Sequence, residues 1–132
     1  MFKLHKKVEY ALTALKHIQS KADGELTTAK EISTEYGIPF DPTSRVLQIM
    51  AQRKILEAVQ GAYGGYRLKG KLSKVNIYDL STMIIGPMAV ADCANGKGSC
   101  SRRDKCHLKG AMGKLNDRIL RVFKQVKVSE MV

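Results

Sequence analysis

The chain has three thiols, Cys93, Cys100 and Cys106, and they stand close together. Six residues separate the first pair and five the second, with Gly96 and Gly98 in the first gap to let the backbone turn sharply around a centre. Thiolates are the ligands that select zinc, copper(I) and iron-sulfur clusters. Arg102, Arg103 and Lys105, set among them, favour the thiolate form and would offset the negative charge of a thiolate-bound cluster. Free cysteines that serve packing are usually buried singly, whereas these crowd a polar, glycine-bearing stretch. The pattern points to a metal site with three protein thiolates and a fourth position to be filled.

The elements that must position this stretch belong to a chain of 132 residues, about one domain long. Its balance of 23 Lys+Arg against 12 Asp+Glu gives a net charge of +11, so a polyanion is the expected partner, and double-stranded DNA comes first. A membrane is not expected: the longest uncharged run, Leu80 to Ala91, is too short to span and contains Gly86-Pro87. An odd number of cysteines and no visible export signal argue against a disulfide framework and for a reducing cytoplasm.

Val8, Ala11, Leu12, Leu15 and Ile18 line one face of a helix over about Lys6 to Ser20, which Asp23-Gly24 ends. Thr28 and Glu31 have capping-box spacing and open a short helix to Tyr36. Gly37 suits its left-handed close. Asp41-Pro42 reads as the cap and first residue of a third helix, with Val46, Leu47, Ile49 and Met50 inward. Thr43, Ser44, Arg45, Gln48, Gln52 and Arg53 are expected outward. Two helices joined by a glycine turn, the second with a polar and basic outer face, describe a helix-turn-helix. Strands over Ile55 to Gln60 and Tyr66 to Leu68, joined through Gly61 to Gly65, add a hairpin behind it, giving a winged helix with Lys69, Lys71 and Lys74 nearby.

Asn76 caps a further helix, Ile77 to Ile85, whose apolar residues read as core. Beyond the cysteines, Leu108, Met112, Leu115, Ile119, Val122 and Val126 recur at heptad steps. This seam is expected to pack on a second copy of the chain and on the winged-helix body, and the tail from Val128, which has no pattern, to be disordered. The fold class is therefore mainly α with a small β wing: a winged helix-turn-helix over 1–75, a connecting helix and cysteine stretch over 76–107, and a long C-terminal dimerisation helix with its tail over 108–132.

Taken together, Val8-Glu9-Tyr10-Ala11-Leu12 in the first helix, the helix-turn-helix, the wing Gly64-Gly65-Tyr66-Arg67-Leu68, three cysteines and a long closing helix resemble the Rrf-type winged-helix transcription regulators, the family of IscR and NsrR. Gly96-Lys97-Gly98-Ser99-Cys100 and Asp104-Lys105-Cys106 are similar to the family's cluster loop. The resemblance implies a homodimer whose three cysteines hold a 2Fe-2S or 4Fe-4S cluster that alters DNA binding. Two departures leave the fourth ligand open: the first cysteine gap is one residue longer than is common, and Lys109 stands where the family has a histidine. His107 adjoins Cys106, but neighbouring residues seldom point at one centre. Glu9 matches an acidic position that, in NsrR-like members, reaches the partner subunit's cluster, and a carboxylate is a harder, weaker ligand than thiolate.

The expected function is a DNA-binding regulator, not an enzyme, that senses redox state, nitric oxide or iron-sulfur status. Ser44, Arg45 and Gln48 are the expected base readers, with Thr28, Thr43, Arg53, Tyr63 and Arg67 completing the candidate DNA surface over a pseudo-palindromic site. Two other classes remain at this point: a zinc-stabilised DNA-binding protein and a metal-free thiol switch.

Overall fold

The computed structural model describes residues 3–91 and 105–132. Helix α1, Lys6–Ser20, buries Val8, Ala11, Ala14, Leu15 and Ile18, the face its spacing predicts. Helix α2, Ala29–Tyr36, is capped by Thr28, whose hydroxyl accepts from the Glu31 N–H, and ends on Gly37 at φ 61°, the left-handed conformation that a residue without Cβ adopts freely. Helix α3, Phe40–Gln52, follows at once and buries Thr43, Val46, Leu47 and Met50 against α1 and α2.

Two expectations about α3 are corrected. The helix starts before Asp41, with Pro39 in the cap position and no side-chain cap. The Pro39 carbonyl instead accepts both the Thr43 N–H at 3.3 Å and the Thr43 hydroxyl at 2.7 Å. That pair of bonds turns Thr43 inward and leaves it fully buried, so it is removed from the outer face where a DNA contact requires it. Pro42 is tolerated because first-turn positions have no intrahelical partner for an N–H.

Strands β1, Leu56–Val59, and β2, Gly65–Leu68, form an antiparallel hairpin with Glu57 opposite Arg67 and Ala58 opposite Tyr66. Thr27, just before α2, pairs with Tyr66 through both backbone hydrogen bonds, 2.9 and 2.8 Å, and so stitches the wing to the helix-turn-helix. The paired glycines are needed there. A Cβ on Gly65 would come 2.8 Å from the Thr27 carbonyl oxygen, and one on Gly64 would overlap that of Val59. Tyr66 and Leu68 pack against the core.

After a single turn of 3-10 helix, Leu72–Lys74, helix α4 covers Ile77–Ile85 with Asn76 as its cap, the bounds its sequence predicts. Helix α5 runs Lys109–Gln125. The tail is ordered, contrary to expectation: α6, Val128–Met131, inserts Val128 fully into the core. The Val128 N–H donates to Val75 at 2.8 Å, and the Ile77 N–H donates to Val126 at 2.9 Å. A four-residue helix is too short to show a period, so no sequence pattern marks it.

Candidate functional site

The helix-turn-helix corner is set by its own backbone. Ser33 donates its hydroxyl to the Ile38 carbonyl at 2.6 Å, and the Ile38 N–H returns to the Ser33 carbonyl at 3.2 Å. These bonds hold the turn that aims α3. On α3, Arg45 and Gln48 are exposed and Ser44 is half-buried, with the Gln48 amide donating to the Ser44 hydroxyl at 3.3 Å. Arg45 makes no ion pair among the described residues, so its guanidinium is available to an incoming base edge or phosphate. Arg53 is exposed at the C-terminal cap of α3, and Thr28 is exposed at the N-terminal cap of α2.

The wing presents Tyr63, 96% exposed, at its tip. Arg67 is not free in the same way: its Nε donates to the Glu57 carboxylate across the hairpin at 2.7 Å. That hydrogen bond raises the Arg67 pKa and lowers that of Glu57. A phosphate must compete with Glu57 for Arg67; Glu57 is not among the residues the sequence singles out, although the hairpin register sets it opposite Arg67. Lys69, Lys71 and Lys74 are exposed next to the wing.

Of the cysteines, Cys93 and Cys100 lie outside the described residues. Cys106 is a half-buried free thiol just ahead of α5, and His107 beside it is exposed. Glu9 is paired with Lys6, one turn away, at 3.0 Å. This hydrogen bond holds the Lys6 ammonium above the usual lysine range. Glu9 also lines a groove of about 570 Å³ between α1, α4 and α5, together with Ser81, Val90, Leu120 and Phe123. Among the described residues no three His, Cys, Asp or Glu side chains come together as a metal site.

Helix α5 divides its apolar residues. Counting its two caps, Met112, Ile119 and Val126 are half-buried, whereas Leu108, Leu115 and Val122, spaced by sevens, stay 60%, 47% and 55% exposed. The one buried residue of α5 is polar, Asn116. It accepts the Val90 N–H on Oδ1 at 3.0 Å. Reading only the heptad seam missed it, although Asn116, Leu120 and Phe123 share the other helical face by their spacing.

Residues 4–132 match the family model described as Rrf2, iron-dependent transcriptional regulator. The chain belongs to the Rrf2 family. It is accordingly a DNA-binding transcription regulator of winged-helix fold and not an enzyme. Its relatives include Protein aau3 of Rhizobium meliloti, 25% identical over 131 residues, spanning 98% of this chain and 84% of that one. The HTH-type transcriptional regulator NsrR of Halalkalibacterium halodurans is 22% identical over 125 residues, 94% of this chain and 86% of that one. Among solved structures, CymR, described as the global cysteine regulator of B. subtilis, superposes with a TM-score of 0.72 at 18% identity, covering 99% of this chain and 96% of that one. T. potens IscR gives 0.69 at 18% identity, over 98% of this chain and 85% of that one. Among the described residues no helix is long and apolar enough to cross a membrane.

Proposed function

We propose that this Rrf2-family protein is a cytoplasmic homodimer that couples the state of an iron-sulfur cluster, 2Fe-2S or 4Fe-4S, to its affinity for a pseudo-palindromic DNA site. Cys93, Cys100 and Cys106 would hold the cluster, with Glu9 of the other subunit as fourth ligand and His107 as the less favoured candidate. Such a cluster supplies iron that nitric oxide or oxygen can attack, so redox state, nitric oxide and iron-sulfur supply are the candidate signals. The observation that carries the reading is the placement of all three cysteines in the chain between α4 and α5. A change there is covalently positioned between the winged helix and the helix with the exposed apolar seam.

The thiolates carry negative charge, which Arg102, Arg103 and Lys105 offset. Glu9 must leave Lys6 to reach a metal, which costs little at an exposed ion pair. Affinity comes mainly from phosphate contacts by the basic surface, including Thr28, Arg53, Tyr63 and Arg67, and it falls steeply with salt. Ser44, Arg45 and Gln48 read base edges, and the two α3 helices of a dimer meet half-sites one helical turn, roughly 34 Å, apart. The cluster shifts DNA affinity only by its own preference between the bound and free states of the dimer.

A second reading is supported by the likeness to CymR, whose description as the global cysteine regulator suits chemistry at thiols without a metal. One experiment separates the two readings. Protein purified without oxygen is analysed for iron, sulfide and zinc, and its absorption spectrum and DNA affinity are recorded before and after nitric oxide or air. A coloured protein with matched iron and sulfide, bleached with a change in DNA affinity, and a colourless but folded Cys100→Ala variant support the cluster. A colourless wild type that holds zinc, or that takes up no metal on anaerobic reconstitution and forms a reversible disulfide, overturns it.

A further inference from the structure

Asn116 occupies a place on α5 that an apolar side chain would ordinarily fill. It is 6% exposed, and α5 buries no other residue to that degree. A buried amide is unfavourable unless its polar atoms are hydrogen-bonded, so a polar residue at this point needs a partner. Its Oδ1 has one, the N–H of Val90, 26 residues earlier in the chain. Val90 lies in the irregular stretch after Gly86-Pro87, where the backbone has left α4 and has no helical partner for its N–H. Three residues after Val90 comes Cys93. Val90 also lines the groove that contains Glu9 and the α5 side chains Ile119, Leu120 and Phe123.

We propose that Asn116 is a positioning residue that fastens the chain leading to Cys93 onto α5, so that strain or release at the cysteines is passed to the dimerisation helix. The proposal rests on the cluster reading above and adds the link through which that cluster would act. A hydrophobic residue at 116 would fill the space and leave the Val90 N–H unpaired. An aspartate is nearly the same shape and keeps an acceptor in place. Those two substitutions separate the hydrogen bond from simple packing.

The test compares wild type, Asn116→Leu, Asn116→Ala and Asn116→Asp as full-length protein, with the leucine and alanine variants expected to behave alike. Hydrogen exchange is read over residues 86–91, and DNA affinity is measured with the cluster loaded and removed, using a duplex selected from a random pool by the loaded wild type. Loss of one hydrogen bond should speed exchange at Val90 by about tenfold in Asn116→Ala. The ratio of loaded to unloaded DNA affinity should fall to within about twofold of one in Asn116→Ala and be restored in Asn116→Asp, with the unloaded affinities alike. Thermal melts establish that each variant is folded, and Asn116→Ser serves if the alanine variant is not. An Asn116→Ala protein that keeps the wild-type ratio overturns the positioning role alone. Restoration of stability but not of the ratio by aspartate does the same. A wild type whose affinity ignores the cluster, or that holds none, overturns the cluster reading and this inference with it.

Discussion

At the junction of α1 and α2, Glu31 accepts a hydrogen bond from the Lys21 ammonium, and that bond holds its carboxyl below the usual carboxylate range against an opposing effect of partial burial. His17 adds to the lowering from 3.5 Å, while its Nδ1 meets the Tyr36 hydroxyl at 2.8 Å. The folded pKa is depressed, so the stabilisation is present above the ordinary carboxylate pKa and is lost as pH falls through the lowered folded value. Because 38% of the Glu31 side chain is exposed, screening limits the pair to roughly 0.5 kcal/mol. Glu31→Gln should therefore lose a small part of its stability at neutral pH and show a flatter decline in melting temperature between about pH 6 and pH 3 than wild type. A parallel decline in the two proteins would remove Glu31 from the acid response. The DNA surface offers a sharper residue-level contrast. Arg45→Ala should cost about 1–3 kcal/mol and relax the preference at one base position, whereas Lys71→Ala should weaken all duplexes alike and reduce the salt slope by about 1. Affinities over a set of single-base operator variants at several salt concentrations measure both.

The elements owe their form to a few close approaches. The wing is held at Thr27, and Gly65→Ala, with a Cβ 2.8 Å from the Thr27 carbonyl oxygen, should shift that bridge and lower the melting temperature while leaving the fold of α1 and α3 intact. Helix α5 leaves Leu108, Leu115 and Val122 exposed at heptad spacing, a stripe that water does not favour and that a second copy could cover. Leu115→Glu should convert a dimer to a monomer in analytical ultracentrifugation, with little change in the helical circular dichroism; a dimer that survives would place the interface elsewhere. These elements were legible in the sequence to different degrees. The bounds of α1 and α4 follow from apolar spacing and the Asn76 cap, and those of α2 from Thr28, Glu31 and Gly37, because local signals there agree with the tertiary packing. Thr43 departs from the outer face that its polar type suggests because its hydroxyl bonds the carbonyl four residues back, which makes a polar residue tolerable in the core. Asn116 and Val128 escaped because each is explained by a partner far along the chain, Val90 and Val75 respectively. Sequence periodicity carries no record of such pairings.

On the scale of the whole molecule, α6 is the clasp between the two ends of the fold. Val126 and Val128 exchange backbone hydrogen bonds with Ile77 and Val75, Lys127 bridges Asn76, and Val128 fills the core beside the turn at Leu72. The strand-like segment that leads from the wing into α4 is thereby tied to the end of α5. In a dimer joined through α5, this tie would fix each α3 relative to the symmetry axis, and with it the spacing between half-sites. Deleting residues 127–132 removes the burial of Val128, roughly 1.5–3 kcal/mol, and the hydrogen bond to Val75, but leaves Leu108, Leu115 and Val122 in place. The truncated protein should melt at a lower temperature yet remain as dimeric as the full chain. Its affinity for the preferred operator should fall, while its penalty for an operator with one base pair inserted between half-sites should shrink, because recognition helices that are less firmly held can adapt to the changed separation. Binding of both duplexes by both proteins, below the melting temperature of the truncated form, gives the ratio. An unchanged penalty would assign α6 to stability alone and return control of half-site spacing to the α5 seam.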